Sequence, residues 1–597
     1  MGMMKHILIA TTIVAILSGW GSIPEAFAAD FTVTRTDDPT PGDCIPGDCS
    51  LREAVIEANH RGGHDTILLS DRVYPLAISA LFGDFGFTQV GDLDIYDDLT
   101  IAGPTGEGST KATIDANGAT TKDRVFEIHG ADTDVTNVTM RRLFITDGRA
   151  HPTGPDNNGD GRPDFAYGGG ILIEEGAALS ASDVILDRNT TESIGQGGAI
   201  FNDGDLSLVR AQIRFNDAPD GFSGGIQTNP GATTSLYDTE VQNNDSIFGG
   251  GLGDYGVTTI ERSAIYLNRA ALGGGIRAAG SGSLTTLTNV TLAHNEAGDN
   301  GSAIQARNGP GFTLNNVTIA HNTADSNGNG MGNAAVFLQR DNLSTSMTLR
   351  NTILAANEDS SPGTTDVPDC AVQGGAAITL AGYDLLGNHH GCTFGVTPGA
   401  EGNQIGGSTN PIDPLLEIGI NPNGGPTSTL PLLAGSPAIN AGNPAAPGSG
   451  VEACAASDQR GVPRADCDIG AYELVRCQGA VVNIVGTAGP DVLRSDDRSD
   501  AILGLGGADE VFGGSGADAI CAGEGNDLLR GQNGNDQIGG GAGNDTAYGG
   551  DGGDRLLGQD GNDLLNTKDG VQGNDLANGG AGTDTCRTDS EDRRVSC

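Results

Sequence analysis

A nine-residue period near the C-terminus constrains the fold more than any other feature of this sequence. Between positions 491 and 563 an aspartate recurs every nine residues, and an apolar residue follows two places after each one. The period is too short for a helical repeat and too rich in glycine for an ordinary packed core. It predicts a coil of short strands whose apolar residues face inward and whose aspartates face a ligand. The aspartates are Asp491, Asp500, Asp509, Asp518, Asp527, Asp536, Asp545, Asp554 and Asp563.

The units have the form G-G-x-G-x-D-x-h-x, where h is apolar, and are most regular at residues 513–520. Glycines permit positive φ and bring carbonyl oxygens close to a cation, while the carboxylate supplies charge, so the composition suits a hard ion such as Ca²⁺. The segment resembles the hemolysin-type (RTX) calcium-binding repeat. That resemblance implies a parallel β-roll in which calcium is the cofactor. It assigns calcium to Asp509, Asp518, Asp527, Asp536, Asp545, Asp554 and Asp563, and to Gly504, Gly513, Gly531, Gly540, Gly549 and Gly558.

The same resemblance places each calcium between same-side turns two units apart, from Asp509 with Asp527 to Asp545 with Asp563. Five such pairs are expected. The first two units depart from the pattern, since residues 495–500 contain no glycine, and after Asp563 the phase slips by three residues before Asp575 and Asp584 resume it. A flexible glycine-aspartate linker is the alternative, but linkers do not hold a nine-residue phase.

A longer repeat occupies the middle of the chain. From about residue 168 to 357 an aliphatic residue stands three places before an asparagine, mostly every 24 to 28 residues, and glycine pairs followed by an aliphatic residue form a second beat. Strands as short as 206–208 cannot form a core alone, so successive turns must stack. We expect a right-handed parallel β-helix with a hydrogen-bonded asparagine ladder that tolerates left-handed turn conformations. The asparagines are Asn189, Asn216, Asn244, Asn268, Asn295, Asn322 and Asn357.

An antiparallel propeller or sandwich is the alternative, but hairpin turn signals at the usual 8–12-residue spacing are missing. His294 and His321 lie 27 residues apart at one phase of the repeat, so we expect their rings to stack in adjacent coils as turn-filling side chains.

Three segments carry a second resemblance. Residues 197–200 and the asparagine phase resemble the GGAI and FxxN repeats of the chlamydial polymorphic membrane proteins, which are β-helical adhesins, although the aliphatic positions here hold no phenylalanine. Residues 49–54, Cys-Ser-Leu-Arg-Glu-Ala, resemble the CSLREA segment that opens many secreted bacterial β-helix proteins. The periodicity of 49–59 predicts a short amphipathic helix capping the coil. Residues 435–442 and 458–473 match the closing segment of the same proteins.

The predicted fold class is therefore all-β, a right-handed parallel β-helix followed by a calcium-binding parallel β-roll. Lys5, the apolar run 7–17 and Ala26-Phe27-Ala28 predict a signal peptide, because the run is too short for a comfortable membrane span. The expected segments are a signal peptide over 1–28, an N-terminal cap over 29–65, the β-helix over 66–365, a cysteine-containing closing segment over 366–478 and the roll over 484–597. No later segment is apolar enough to cross a bilayer, so the protein is expected to be secreted and extracellular.

The cysteines and the net charge restrict the classes of partner that this protein is expected to bind. Clustering of the ten cysteines in an exported chain favours local disulfides, with two cysteines left to pair across the entrance of the roll. Zinc binding by the cysteines is not expected, because close Cys-x-x-Cys pairs are absent. A net charge of −45 disfavours nucleic acid and anionic membranes, and leaves cations, basic proteins and glycans. The pairs are Cys44–Cys49, Cys370–Cys392, Cys454–Cys467, Cys477–Cys521 and Cys586–Cys597.

An enzyme is the rival interpretation, because parallel β-helices include pectate lyases and polygalacturonases. Glycosidic hydrolysis needs two carboxylates on one groove, and lyase chemistry needs a strong base beside calcium. The sequence has neither the paired-aspartate nor the arginine-rich signature, and the lyase-like run 460–464 belongs to the closing segment. We therefore expect an adhesion or matrix-interaction protein that contacts a glycan or cell-surface protein, with a pectate-lyase-like polysaccharide lyase or glycoside hydrolase as the alternative.

A second oxygen-rich loop lies at residues 156–164. Asp156, Asn158, Asp160 and Asp164 occupy positions 1, 3, 5 and 9 of a calcium loop with glycine at position 6, although Tyr167 replaces the glutamate of position 12. The pattern predicts a calcium-stabilised insertion. A solvated polar turn is the alternative.

Overall fold

The structure is a computed structural model of the 597-residue chain. It describes residues 28–78, 91–106, 109–121, 123–131, 135–151, 166–192, 194–330, 332, 334–361, 369–394 and 402–597. The predicted signal peptide, apart from its last residue, and the loop with Asp156, Asn158, Asp160 and Asp164 lie outside these residues.

Most of the described chain is a parallel β-helix. Each full coil passes twice through sheet 1, then through sheet 2 and sheet 3, and successive coils pair in parallel register; Ile200, for example, pairs with Ile226, which pairs with Leu252. The prediction of a parallel β-helix is confirmed, and the antiparallel alternative is wrong. The parallel strands extend from Asp30 to Ile405, beyond both bounds expected for the helix from sequence.

Sheet 1 has 22 strands in the described residues: Asp30–Thr32, Asp65–Leu68, Val73–Pro75, Leu99–Ala102, Ala112–Asp115, Thr136–Arg141, Leu143–Thr146, Ala177–Ser182, Ile185–Asp187, Asp205–Val209, Gln212–Arg214, Thr233–Tyr237, Glu240–Gln242, Val257–Glu261, Ala264–Tyr266, Leu284–Ala293, Gly311–Ala320, Ser346–Arg350, Ile353–Leu354, Ala377–Leu380, Leu385–Leu386 and Gln404–Ile405. Sheet 2 contains Arg149–Ala150, Thr190–Thr191, Asp217–Phe222, Asp245–Phe248, Arg269–Leu272, Glu296–Ala297, Thr323–Ala324 and Glu358–Asp359. Sheet 3 contains Leu93–Ile95, Phe126–Ile128, Ile171–Ile173, Ile200–Asn202, Ile226–Thr228, Leu252–Asp254, Ile276–Ala279, Ile304–Arg307, Val336–Gln339 and Cys370–Gln373.

The core is a stack of apolar side chains, one per coil at each inward position. The first residue of every sheet 3 strand is buried, and in the five strands from Ile171 to Ile276 it follows the turn that contains the glycine pair. Glycine is required there because a Cβ on Gly198 or Gly225 would stand 2.3 Å from a carbonyl oxygen of the next coil. Burial of each such side chain contributes about 1.5–3 kcal/mol.

The asparagine ladder forms as predicted. The backbone N–H and the Nδ2 of each asparagine both donate to Oδ1 of the asparagine one coil further on, as Asn268 does to Asn295 at 3.1 and 3.0 Å. The ladder ends on Asp369, whose Oδ1 accepts from Asn357. The expected left-handed conformation does not fall on the asparagines, because their N–H and side chain both point along the stack. It falls one residue earlier, at Arg188, Phe215, Asn243, Leu267, His294, His321 and Ala356.

The N-terminal helix is α1, Leu51–His60, and a capping box between Ser50 and Glu53 starts it. Leu51 and Val55 pack into the core of the first coils, which confirms the predicted short helix. The side chain of Arg52 is fully buried, where it pairs with Asp38. A second short helix, α2, is Gly118–Thr121.

The closing segment covers the outer face of sheet 1. There the sheet presents Ala293, Ala320 and Ile353, and these pack against Leu432 and Tyr472. A sheet with apolar residues on its outer face loses stability if that face meets water. The closing segment covers this face, so sheet 1 is buried between the core of the β-helix and the closing segment. The five disulfides predicted from the clustering are present: Cys44–Cys49, Cys370–Cys392, Cys454–Cys467, Cys477–Cys521 and Cys586–Cys597.

After the antiparallel pair Arg476–Cys477 and Ala480–Val481, the chain winds into a parallel β-roll of two sheets. Its coil takes two nonapeptide units, since paired strands are 18 residues apart. One sheet contains Ile484–Val485, Ala501–Gly506, Ala519–Glu524, Gln537–Ala542, Arg555–Asp560, Leu576–Ala581 and Arg593–Val595. The other contains Val492–Arg494, Glu510–Phe512, Leu528–Asn533, Thr546–Asp551, Leu564–Asn566 and Thr585–Arg587.

Candidate calcium sites

The interior of the roll is a single column of apolar side chains. These are the residues two places after each aspartate, such as Ile520, Leu529 and Ile538, and they are fully buried. Between the two sheets there is room for little else, so the hydrophobic contribution per residue is small. The turns must therefore supply stability by other interactions.

One carboxylate oxygen of each repeated aspartate links two successive coils by a hydrogen bond. The Oδ1 atom accepts a hydrogen bond from the backbone N–H of the aspartate 18 residues earlier, at 2.8 to 3.0 Å from Asp509 through Asp563. The structure therefore brings together the five aspartate pairs predicted from the resemblance. These bonds orient each carboxylate and leave its second oxygen pointing into the turn.

That second oxygen has no hydrogen-bond partner. The Oδ2 atoms of ten aspartates in the roll are buried and unpaired among the described atoms. A buried carboxylate oxygen without a partner costs free energy, and natural folds rarely contain a row of them unless an ion satisfies them. The aspartates are Asp500, Asp509, Asp518, Asp527, Asp536, Asp545, Asp554, Asp563, Asp575 and Asp584.

The glycine five residues before each aspartate forms a cradle for these oxygens. The position that a Cβ of Gly531 would take lies 2.2 Å from Oδ2 of Asp536 and 2.6 Å from the carbonyl oxygen of Gly549 in the next coil. The predicted glycines Gly504, Gly513, Gly540 and Gly558 repeat this arrangement, while at Gly549 only the carboxylate of Asp554 is this close. A carboxylate oxygen and a carbonyl oxygen from successive coils therefore line one space. Such oxygen donors suit Ca²⁺, so the residues present fit the implied ion.

The electrostatics also favour a cation. Burial, reinforced by neighbouring aspartates, raises the pKa of Asp536 to about 7 and the pKa values of Asp518, Asp545 and Asp575 to about 6. Burial also raises the pKa values of Asp509, Asp527, Asp554 and Asp563. A divalent ion beside these carboxylates would remove the penalty for keeping them charged.

Some turns depart from the regular cradle. In the turn of Asp527, Ala522 stands at the glycine position, as Ser495 does in the turn of Asp500. In the turn of Asp491, Oδ2 already accepts from the backbone N–H and Oγ1 of Thr487. We therefore expect Asp527 to belong to a weaker site, and Asp491 to be capped by hydroxyl and amide donors.

The stack of paired aspartates extends further toward the C-terminus than the five pairs predicted from the sequence. Asp575 and Asp584 lie 21 rather than 18 residues after their partners, yet their Oδ1 atoms accept from Asp554 and Asp563 at 2.7 and 2.9 Å. Three extra residues bulge out between coils while the stack continues. The apolar residue two places after Asp575, Ala577, was the signal that could have found this register.

The lyase-like run 460–464 has a structural role. Arg460 pairs with Asp458 and Arg464 pairs with Glu473, and both arginine side chains are fully buried. His294 and His321 stack with ring centroids 5.4 Å apart, as expected from their spacing. In the part of the chain that the structure describes, no helix is long and apolar enough to span a membrane.

Fold and site together define a class, a parallel β-helix joined to a roll with oxygen cradles for hard cations. The profile of the RTX calcium-binding nonapeptide repeat (four copies) matches residues 485–520, 494–529, 513–547, 530–565 and 566–592. The segment from 485 to 592 therefore consists of RTX calcium-binding repeats. No curated protein sequence matches the chain.

Among solved structures the chain is similar to a crystal structure of pectate lyase Pel9A, at 16% identity and a TM-score of 0.34, over 74% of this chain and 96% of that one. It is also similar to a PL6 family alginate lyase, AlyGC, at 10% identity and a TM-score of 0.25, over 95% of this chain and 75% of that one. Sequence identities and TM-scores this low do not allow site residues of these lyases to be matched to residues of this chain.

Proposed function

We propose that this protein is a secreted, calcium-stabilised β-helix that serves in adhesion or matrix interaction. The observation that carries the calcium part is the row of buried, unpaired Oδ2 atoms facing carbonyl oxygens. Asp509, Asp518, Asp527, Asp536, Asp545, Asp554 and Asp563 supply carboxylates to successive sites. Gly504, Gly513, Gly531, Gly540, Gly549 and Gly558 leave room for the ions.

The outer face of sheet 2 supports the interaction part. In register along the coils lie Asp217, Asp245, Arg269, Glu296 and, two coils on, Glu358. All but the half-buried Asp217 are exposed. We call Asp217, Asp245, Glu296 and Glu358 the sheet 2 acidic row. Because coils are about 4.8 Å apart and the ladder holds them rigidly, the row presents negative charge at steps of one, two and two coils, with Arg269 and Thr323 at the positions between.

A basic surface of a cell-surface or matrix protein fits this row better than an anionic partner does. Calcium contributes by locking the roll, which a disulfide joins to the segment beside the helix through Cys477 and Cys521. The proposed activity is therefore binding, and its calcium requirement comes from the roll.

The test combines binding and chemistry. The calcium-loaded chain is screened against basic matrix proteins and a glycan panel, with assay for new reducing or unsaturated ends. We expect binding to basic proteins that falls at least tenfold in an Asp245→Asn/Glu296→Gln double variant. Binding should be unchanged in Glu261→Gln, an exposed carboxylate on sheet 1. Product formation from any glycan would overturn the proposal and favour the polysaccharide lyase or glycoside hydrolase alternative.

A further inference from the structure

A second cluster of metal-ligand side chains lies on the first coils of the β-helix. Asp94 and Glu127 occupy paired positions on neighbouring strands of sheet 3. Leu93 and Ile95, on either side of Asp94, are in the core, so Asp94 emerges on the outer face. His129 follows the second of these strands, and Glu174 follows the next strand along the stack.

The geometry around His129 resembles a metal site with its supporting shell. Its Nε2 lies 2.8 Å from Oδ1 of Asp94, and its Nδ1 lies 3.1 Å from Oε2 of Glu174. One ligand atom from each of Asp94, Glu127 and His129 falls within 4.8 Å of the others. The ring of Tyr96 stacks on the histidine at 4.2 Å and 3°, which limits rotation of the imidazole.

Negative charge exceeds positive charge in this cluster among the described residues. The guanidinium of Arg124 lies between Asp92, at 3.1 Å, and Glu127. Asp92 is fully buried, its Oδ2 meets that guanidinium, and its Oδ1 has no hydrogen-bond partner. The nearby charge of Arg52 is already paired with Asp38. Among the described residues, the carboxylates of Asp92, Asp94, Asp123, Glu127 and Glu174 thus outnumber the cations Arg124 and His129. A buried carboxylate oxygen without a hydrogen-bond partner, such as Oδ1 of Asp92, favours a cation nearby.

We propose that Asp94, Glu127 and His129 bind one divalent cation of the zinc or manganese class. An imidazole nitrogen favours such ions over calcium, which prefers oxygen alone. Glu174 is a positioning residue, because its carboxylate accepts the Nδ1 proton and turns Nε2 toward the ion. Three protein ligands leave a fourth position open, and Glu127 and His129 are each about 15% exposed, so solvent reaches it.

Binding requires only a small rearrangement. Metal–ligand distances are about 2.0–2.2 Å, so an ion on Nε2 needs Oδ1 of Asp94 to shift from its hydrogen-bond position and the carboxylate of Glu127 to turn from Arg124 toward the ion. The competing interpretation is a protonated histidine held between Asp94 and Glu174. That arrangement is a structural ion pair, and it predicts no bound zinc.

Zinc binding to the untagged full chain distinguishes the two. The roll is first saturated with millimolar Ca²⁺, and Zn²⁺ is then added by equilibrium dialysis. We expect one Zn²⁺ per chain that calcium does not displace. His129→Gln should weaken its binding at least tenfold, and Glu174→Gln by about 10- to 100-fold. His60→Gln, an exposed histidine of α1, is the matched control.

Cobalt supplies a spectroscopic readout that a structural role would not produce. Co²⁺ in the wild type should show visible d–d bands of a low-coordinate site, and His129→Gln should lose them. If that variant does not fold, Glu127→Gln keeps the histidine and tests the site by the same two measurements. No zinc above the level of the variants, or an equal loss in His60→Gln, would overturn the proposal.

Discussion

At the scale of single residues, each repeated aspartate of the roll has two different carboxylate oxygens. Oδ1 is satisfied by a backbone N–H of the neighbouring coil, whereas Oδ2 is buried without a partner. One side chain thus holds two coils together through Oδ1, while the negative charge on its buried Oδ2 can be balanced by a bound cation. Substitution at this position should consequently change stability in opposite directions with and without calcium.

The substitution Asp536→Asn tests this sign change. In calcium we expect weaker binding, with at least one site lost by calorimetric titration, because the charged ligand is gone. In chelator the variant roll should retain more structure than wild type, because one buried negative charge has been removed. Asp560→Asn, an exposed aspartate outside the nine-residue phase, should leave both measurements unchanged. A loss of stability in both conditions would contradict the assignment.

The glycine cradle makes a separate prediction. In Gly531→Ala the new methyl would stand 2.2 Å from Oδ2 of Asp536, so the carboxylate must move away from the ion. We expect at least a tenfold loss of calcium affinity at that turn. The matched control is Gly553→Ala, whose nearest neighbour lies at 3.3 Å. Neither glycine has a positive φ, so backbone strain does not confuse the comparison. Equal affinities in the two variants would count against the cradle.

The pH dependence follows from the raised pKa values of these carboxylates. Their folded pKa values, about 7 for Asp536 and about 6 for Asp518 and Asp545, exceed the unfolded value of 3.8. The calcium-free folded roll therefore binds more protons than the unfolded chain between these values. Its stability should be present at pH 4 and fall as the pH rises toward 7. Thermal melts in chelator at pH 4 and 7 check this, and a roll that is more stable at pH 7 would contradict it.

At the scale of elements, the asparagine ladder joins successive coils of the β-helix through buried side-chain amides. Asn268 donates to Asn295 and to the carbonyl of Val241, and it accepts from Asn244. Each buried amide is fully paired, so the ladder acts as one network. Interruption at its middle leaves donors on one neighbour and an acceptor on the other.

We expect Asn268→Ala to destabilise the β-helix by about 2–4 kcal/mol, since several buried groups lose partners. Urea unfolding with calcium present measures this. Asn137→Ala, at an exposed position of sheet 1, should remain within about 0.5 kcal/mol of wild type. A similar effect of both substitutions would mean that the ladder contributes no special stability.

The closing segment shows what sequence patterns leave undetermined at this scale. Its motifs predicted a terminal element, but the structure lays it along sheet 1, where Thr291 donates to Gln459 and Tyr472 packs against the sheet. Thr291 and Gln459 are separated by 168 residues in the sequence. A two-residue alternation identifies a strand and does not reveal that both of its faces are covered. The strand Leu284–Ala293 is buried on both faces at its C-terminal end.

At the scale of the whole molecule, calcium couples to the folding of the roll. With a dissociation constant of ~0.1 mM and ~1 mM free calcium, each site contributes about 1.4 kcal/mol. Five sites would contribute about 7 kcal/mol, comparable to the roughly 5–15 kcal/mol stability of a whole domain. The apolar column of the roll is only one residue wide and cannot substitute for this.

Removal of calcium at pH 7 should therefore unfold the roll and leave the β-helix folded. Calorimetry of the full chain should show two transitions in calcium, and chelator should abolish only the one that belongs to residues 484–597. Proteolysis in chelator should cut within that segment. The β-helix depends on stacked aliphatic residues and asparagines, so its transition should not move. A chelator-insensitive thermogram would contradict the calcium requirement.

The sequence by itself determined the architecture of both repeats, because each repeat has a fixed period and a fixed chemistry. Nine-residue spacing set the register of the roll, and the asparagine phase set the ladder. Four of the disulfides followed from clustering, since local loops bring neighbouring cysteines together, and Cys477–Cys521 followed as the remaining pair. The tertiary structure alone decided which side chains meet across coils without a period. Examples are the closing segment on sheet 1 and the cluster of Asp94, Glu127, His129 and Glu174. Their proximity arises from the stacking of coils, whose irregular lengths no local pattern specifies.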